Sequence, residues 1–345
     1  RDVLTFFHLG VAGTTLATLL WGSHPWQDPP SGPPLTFRME GTVAFRPEDT
    51  PKNEFVVFGA GHEVQSTLDI PPAPPGGRLL VVLDAIPILG DDGLPVDNWT
   101  RPARVVAQTP SGDLELIRAM TGYGAGGRFV QDITPLVPAL GQRCKLKAAL
   151  AGYPKVPTWS LRVQLVTEEK GAGHRNPKFC QPLWLEEVMR PSSSVSQTVT
   201  IPEGVRAPRI ILRSTGHSAI GSAYHEFVSL THVVRVDGQE VARFRPWRED
   251  GGTTRRLNPS AGRPDPSKPN LLASDLDRSG WVPGQKVEPR ILPLPELTPG
   301  PHTVTLELLT APPKMDRNQP IEGYWMQSAA VVADDEVLAP SPGTR

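Results

Sequence analysis

Prolines interrupt this sequence too often for long helices to dominate its fold. They occupy 40 of the 345 positions, and a further 32 positions are glycine. Inside a helix, proline removes a backbone donor and clashes with the preceding turn, so the elements between these residues must be short. The segments between the turns are rich in valine, leucine, isoleucine and threonine, which is the pattern of an all-β protein.

Several of these segments alternate apolar and polar residues, as from Thr303 to Leu308, and such a strand buries only one face. We therefore predict two tandem β-sandwich domains of the jelly-roll type. The predicted strands are residues 35–45, 55–58, 79–83, 103–108, 114–118, 145–150, 160–167, 196–201, 209–214, 232–236, 239–244, 302–309 and 324–332.

The turn-rich stretch RPSSSVS, residues 190–196, is the predicted join between the domains. The predicted organisation is an apolar N-terminal segment, a first jelly roll, a second jelly roll and a short tail, at residues 1–27, 28–190, 191–338 and 339–345. Residues 245–283 form a long, charged and nearly strand-free stretch, and loops of this length often carry a binding surface.

Charge and cysteine content narrow the range of functions. The chain has 35 basic and 36 acidic residues, so it lacks the basic excess of a protein that binds nucleic acid through phosphates. No pattern in it indicates a cofactor. Its two cysteines, Cys144 and Cys180, permit at most one internal disulfide. They do not indicate whether the protein belongs to an oxidising or a reducing compartment.

The N-terminal segment has no charged residue from Val3 to Gln27. A helix needs about 20 apolar residues to cross a bilayer, so this segment is a predicted membrane or partner-embedded helix. Arg1 precedes it, and the positive-inside rule then places the body on the outer side, in the cell envelope. A signal sequence and a buried core element are alternatives. The residues predicted to contact lipid or partner helices of a membrane complex are Phe6, Phe7, Gly10, Gly13, Leu16, Leu19, Leu20 and Trp21.

Three segments of the second half resemble the C-terminal domain of the peptide-N-glycosidase F family. They are STGHSAIGSAYHEFVSLTHVVRVDG, FRPWREDGGTTRRLNP and DRSGWVPGQKVEPR, in that order, between residues 209 and 289. In the first half the resemblance rests on VDNWTRPARVV and QDITPLVPALGQRCKLKAALAGY. It implies an exported protein of two eight-stranded jelly rolls, from a family that hydrolyses the amide bond between asparagine and the first sugar of an N-linked glycan.

The resemblance also shows which family acids are missing. The family's essential aspartate, which directly follows a tryptophan, falls on Thr100, and its first-domain glutamate falls on Ala151. A threonine hydroxyl has no pKa in the range needed for an acid or base. Only the second-domain glutamate is kept, as Glu226, and Asp97 is a weak candidate to replace the missing aspartate. The family's disulfide positions fall on residues other than cysteine.

The scaffold residues, in contrast, are largely kept. Glu226 is expected to pair with Arg248 or Arg278, and the histidines are expected to brace loops. A double jelly roll is also shared with copper monooxygenases, so a copper site formed by His217, His225 and His232 is a weak alternative to no metal at all. The residues expected to bind a glycan are Trp99, Arg101, Tyr153, His217, Arg248, Arg278 and Trp281.

Three functions are compatible with these observations. The first is a non-catalytic structural or binding subunit of the cell envelope, accessory to a respiratory, photosynthetic or secretion complex. The second is an amidase that releases N-linked glycans with Glu226, alone or with Asp97. The third is a glycan-binding protein without hydrolysis, with Trp99, Tyr153 and Trp281 as stacking surfaces. The number of carboxylates that face the cleft between the domains separates the first two.

Overall fold

The computed structural model describes residues 38–44, 63–74, 76–150, 157–169, 177–218, 225–257, 264–265, 268–272, 275–294, 297–309, 315–316, 319–320 and 323–335. The predicted N-terminal apolar helix, the predicted strand at residues 55–58 and the predicted tail at residues 339–345 lie outside these residues. Within them, no helix is both long and apolar enough to span a bilayer.

The first half forms two four-stranded antiparallel sheets. Their strands are β1 (Arg38–Ala44), β2 (Glu63–Asp69), β3 (Arg78–Pro87), β4 (Pro102–Thr109), β5 (Gly112–Met120), β6 (Gly127–Asp132), β7 (Arg143–Leu150) and β8 (Pro157–Glu168). One sheet has the order β1-β8-β3-β6 and the other β2-β7-β4-β5. A 3₁₀ turn at Thr134–Leu136 and a single helical turn at Val137–Leu140 join β6 to β7.

The second half repeats this arrangement. Its strands are β9 (Pro177–Met189), β10 (Ser194–Ile201), β11 (Val205–Ser218), β12 (His232–Val236), β13 (Gln239–Phe244), β14 (Pro264–Asp265), β15 (Lys268–Leu272), β16 (Arg290–Pro293), β17 (Gly300–Leu308), β18 (Met315–Asp316), β19 (Gln319–Pro320) and β20 (Gly323–Asp335). The order is β16-β11-β20-β9 in one sheet and β10-β17-β12-β13 in the other, while β14-β15 and β18-β19 are small hairpins.

Without the two hairpins, each half has eight described strands with the same neighbours, which is the strand order of a jelly roll. The prediction of an all-β fold of two sandwiches is confirmed. β9 lies before the predicted join at residue 190, yet it pairs with β20 along most of its length. By its hydrogen bonds, β9 is therefore the first strand of the second jelly roll.

The sheet that contains β20 is covered on both faces. Ala330 and Val332 pack into the core of the first sandwich, whereas Ala329 and Val331 pack into the core of the second. Because neighbouring side chains of a strand point to opposite faces and both faces are covered, β20 is buried almost throughout. The two sandwiches therefore share this sheet as their common wall.

A buried polar network joins the sandwiches at this wall. Arg118 of β5 donates to both carboxylate oxygens of Glu115, at 2.9 Å each, and to the carbonyl of Met326 on β20 at 2.8 Å. Arg213 of β11 donates to the carbonyl oxygens of Glu115 and Leu116. Burial raises the pKa of Glu115, but the charges of Arg118 and Arg213 outweigh it, and the pKa is lowered.

Candidate functional site

The loop before β4 carries the residues that resemble the family's first catalytic motif. Asp97 is buried in this loop and accepts hydrogen bonds from Arg101 Nε at 2.7 Å and Arg101 Nη2 at 3.0 Å. Trp159 Nε1 donates to it at 3.2 Å, and the backbone N–H of Trp99 donates at 3.1 Å. A carboxylate offers about four acceptor positions, so these four bonds use its capacity. Asp97 and Arg101 thus hold the loop in place.

Thr100 is also bonded within the protein. Its hydroxyl donates to the carbonyl oxygen of Thr121 at 2.6 Å, and the backbone N–H of Arg101 donates to the Thr121 hydroxyl at 2.8 Å. These bonds fasten the loop to the end of β5. Thr100, at the position where the resemblance places the essential aspartate, is therefore a hydrogen-bond donor whose proton is already bonded to Thr121.

The second half contributes an ion pair near this loop. Arg278 Nε donates to Glu226 at 3.0 Å, and Arg278 Nη2 donates to the hydroxyl of Tyr123 at 3.0 Å. The guanidinium lies 5.0 Å from the ring centre of Trp281 and 5.2 Å from that of Phe227. Arg278 is almost fully buried, whereas the Glu226 side chain remains 15% exposed. Of the two arginines considered as partners of Glu226, Arg278 makes the contact.

Arg248 lies beside this pair but has other partners. Its guanidinium donates to Asp250 at 2.8 and 2.6 Å and to the side-chain oxygen of Gln285 at 2.8 Å. The backbones of Arg248 and Arg278 form a two-residue antiparallel bridge. This bridge fixes the long loop that follows β13, which contains a 3₁₀ turn at Gly251–Leu257, against the loop that carries Arg278.

The aromatic residues divide into one exposed and one buried group. Trp99 is 64% exposed, and its ring centre lies 6.3 Å from that of Tyr123. Trp281 is only 2% exposed, and its Nε1 donates to the carbonyl oxygen of Gly216 at 2.8 Å. Trp281 is therefore placed to support Arg278, while Trp99 is open to a ligand. Ala151 and Tyr153 lie outside the described residues.

The three histidines of the copper alternative have separate partners. His217 bonds to the hydroxyl of Thr215 at 2.7 Å, and His225 accepts from Trp325 Nε1 at 3.0 Å. His232 bonds to the carbonyl oxygen of Leu230 at 2.9 Å. In the part of the chain that the structure describes, no three His, Cys, Asp or Glu residues are placed to hold a metal ion. The structure therefore does not bring these histidines together as ligands.

Burial sets the charge of these histidines. Burial, with a smaller effect of Arg118, lowers the pKa of His217 to about 3. Burial also lowers the pKa of His225 and of His232, each to about 4. Loss of hydration disfavours the charged imidazolium, so all three rings are neutral at neutral pH. They act as uncharged hydrogen-bonding groups in the second sandwich.

Sequence reasoning missed Tyr123, which links the two halves of the site. The residue lies in the glycine-rich turn TGYGAGG after β5, where it contacts both Trp99 and Arg278. A single large aromatic residue between glycines in a turn was the available signal, because such turns are exposed and often carry binding residues. Phe227 was missed as well, although it directly follows Glu226.

Comparisons with known proteins support the fold described above. The model of the family described as "Peptide-N-glycosidase F, C terminal" matches residues 187–332. No curated protein matches the chain in sequence. The structure of PNGF-II superposes with a TM-score of 0.69 at 20% identity over 87% of this chain, which spans 66% of the PNGF-II chain.

Two further structures superpose over nearly their whole length. PNGase F, a glycosylasparaginase from Flavobacterium meningosepticum, has a TM-score of 0.60 at 16% identity, covering 87% of this chain and 97% of its own. Peptide-N(4)-(N-acetyl-beta-D-glucosaminyl) asparagine amidase has a TM-score of 0.59 at 15% identity, covering 88% and 98%. Identities this low are evidence for the fold alone. With its double jelly roll and the matching second half, this chain has the fold of the peptide-N-glycosidase F family.

Proposed function

We propose that this chain is a non-hydrolysing protein of the cell envelope, built on a peptide-N-glycosidase F scaffold and acting as a structural or binding subunit. The observation that carries the proposal is Thr100, which stands where the resemblance places the essential aspartate. Amide hydrolysis needs a group that moves a proton, and a threonine hydroxyl does not titrate in the accessible range. The scaffold is kept, while the group that would start the reaction is replaced.

The hydrogen bond of Thr100 supports this proposal. Its hydroxyl donates to the carbonyl oxygen of Thr121. An ionised carboxylate in the same orientation would place a second acceptor against that carbonyl, and two acceptors repel each other. The backbone around Thr100 therefore favours a donor over an aspartate.

The other acids near Thr100 are already engaged. Asp97 uses its acceptor positions on Arg101, Trp159 and the backbone of Trp99. Glu226 pairs with Arg278. Hydrolases of this kind divide the work between groups of different proton affinity, and among the residues that the structure describes here this arrangement leaves one partly exposed carboxylate, that of Glu226.

A glycan is the ligand that the exposed part of the site fits best. Trp99 presents a flat indole to solvent next to Tyr123, and both residues have an apolar body with a polar tip. Such side chains pack against the C–H face of a sugar while they hydrogen-bond its hydroxyls. Arg278 lies buried behind Tyr123 and bonds its hydroxyl, while Glu226, which pairs with Arg278, keeps part of its carboxylate exposed.

Replacing Trp99 by alanine is expected to weaken the binding of an N-glycan core oligosaccharide about tenfold or more, since exposed tryptophans commonly dominate such contacts. Titration calorimetry measures the change. Leu94→Ala is the matched control, because Leu94 is 61% exposed in the same loop and is not part of the aromatic pair. Equal affinity of the Trp99→Ala variant and the parent would contradict the glycan-binding proposal.

An amidase remains the second candidate, and one observation favours it. Glu226 keeps part of its side chain exposed while Arg278 holds it in one orientation, as an acid or base requires. This candidate function requires release of glycans from a glycoprotein, and requires that Glu226→Gln abolish the release.

The envelope part of the proposal rests on the uncharged run of residues 3–27. A helix of this length and composition partitions into a bilayer or against partner helices. The full chain is therefore expected in the membrane fraction after a high-salt wash, whereas a chain without residues 1–27 is expected in the soluble fraction. Retention of the shortened chain in the membrane fraction would contradict the anchor.

A further inference from the structure

A cavity lies on the second sandwich, and neither Trp99 nor Tyr123 lines it. Its volume is about 400 Å³, which is in the range of sites for small ligands. It opens between the β11–β16 edge and the loop after β13. The side chains that decide its chemistry are Leu212, Ser214, Phe244, Trp247, Arg290 and Ile291. Ile291 is 47% exposed at its edge, so an apolar surface faces solvent there.

Arg290 carries the uncompensated charge of this cavity. The other lining arginine, Arg248, pairs with Asp250, and the lining Glu288 pairs with Lys286 at 3.1 Å. Arg290 instead lies over the ring of Phe244 at 4.5 Å, and it has no carboxylate partner among the described residues. A guanidinium that stacks on an aromatic ring keeps its donors in one plane, where they match a carboxylate.

Ser214 is one of the residues that line the cavity; it is 7% exposed, and two buried side chains fix its hydroxyl. His232 Nδ1 donates to the carbonyl oxygen of Leu230 at 2.9 Å, so its Nε2 accepts the hydroxyl of Ser214 at 2.8 Å. The side-chain amide of Gln327 donates to the Ser214 oxygen at 2.9 Å. A hydroxyl has two acceptor lone pairs, and one remains for a ligand. Ser214 can therefore accept a hydrogen bond from a ligand hydroxyl.

We propose that this cavity binds a small carboxylate-bearing sugar of the uronic acid class. Arg290 receives the carboxylate, Ser214 accepts a sugar hydroxyl, and Trp247 and Phe244 supply flat apolar surface for the ring. A neutral sugar leaves Arg290 unpaired, while an aliphatic acid makes no use of Ser214. The proposal does not depend on the function of the Trp99 surface, because Trp99, Tyr123, Glu226 and Arg278 do not line this cavity.

The test is a titration of the full chain with glucuronate and, as a matched neutral sugar, glucose, followed by NMR or calorimetry. We expect glucuronate to bind at least tenfold more tightly than glucose, with an affinity that falls as salt is added. Arg290→Gln is expected to weaken glucuronate binding about tenfold or more, since it removes a charge-assisted pair.

Arg243→Gln is the control for this variant, because Arg243 lies on the neighbouring β13, is exposed and pairs with Glu240. It should leave glucuronate affinity unchanged. Trp247→Ala should weaken binding without changing its salt dependence. Equal affinity for glucose and glucuronate, or an unchanged affinity of the Arg290→Gln variant, would overturn the proposal.

Discussion

Replacing Arg118 by methionine is expected to lower the free energy of unfolding by about 3–5 kcal/mol, as removal of one partner from a buried ion pair usually does. Arg118 and Glu115 are fully buried, and the guanidinium also donates to Thr215 and to the carbonyl oxygen of Met326. Methionine fills much of the space but leaves the Glu115 carboxylate without its main partner. Urea denaturation, followed by the shift of the midpoint, measures the loss.

The control for this variant is Arg243→Met. Arg243 forms an ion pair with Glu240 on the surface of the second sandwich, and exposed pairs contribute little to stability. Its midpoint should therefore stay at the parent value. If Arg118→Met shifted the midpoint no more than Arg243→Met does, the network at the shared sheet would not be a stabilising contact between the sandwiches.

The second large effect is loss of stability in mild acid. His217, His225 and His232 have folded-state pKa values of about 3, 4 and 4, below the value of 6.5 that an exposed histidine has. The unfolded chain therefore binds protons first, so stability is complete above pH 6.5 and falls as the pH drops below it. At pH 5 each histidine costs about 2 kcal/mol relative to neutral pH.

Urea midpoints measured between pH 7.5 and pH 5 test this expectation, and the slope counts the protons taken up on unfolding. His217→Gln should remove about one of the three protons. His302→Asn should leave the loss of stability between pH 7.5 and pH 5 at least as steep. The side-chain hydrogen bond to Asp237 raises the pKa of His302, whereas burial lowers the pKa of the other three histidines. The lowered pKa of Glu115 acts below pH 4.5, outside this window. A flat stability profile down to pH 5 would contradict the burial of neutral histidines.

The fold could be predicted where strands carry a clear sequence pattern. β3, β12, β13 and β17 were found within a few residues of their observed bounds, because alternation or apolar runs mark them. Apart from the short hairpin strands β14, β15, β18 and β19, the strands that were not predicted are β2, β6, β9 and β16, which all lie at sheet edges. Edge strands have fewer buried side chains, and proline is tolerated there, as at Pro177 and Pro182 in β9.

Only some residues of the candidate site were predicted, while Tyr123, Phe227 and most of the contacts were not. The sequence pointed to Glu226 with an arginine partner, and Arg278 is that partner. It could not show that Tyr123 joins this pair, because the bond connects positions 155 residues apart. Trp99 and Trp281 were both expected to stack on a ligand, yet one is exposed and the other lies beneath Arg278. Burial of this kind depends on the packing of both jelly rolls, which local pattern does not encode.

The most direct test of the central claim is a mass-spectrometric search for conversion of glycosylated asparagine to aspartate. Hydrolysis of the amide leaves aspartate on the peptide and releases the glycan as a glycosylamine, with the amide nitrogen on its first carbon. A denatured glycoprotein is incubated with this chain in molar excess in ¹⁸O-labelled water, so that even a single turnover labels the new carboxylate. We expect no labelled aspartate with the parent chain or with Glu226→Gln. Labelled aspartate that forms with the parent and disappears with Glu226→Gln would show that the scaffold still catalyses the reaction without an aspartate at position 100.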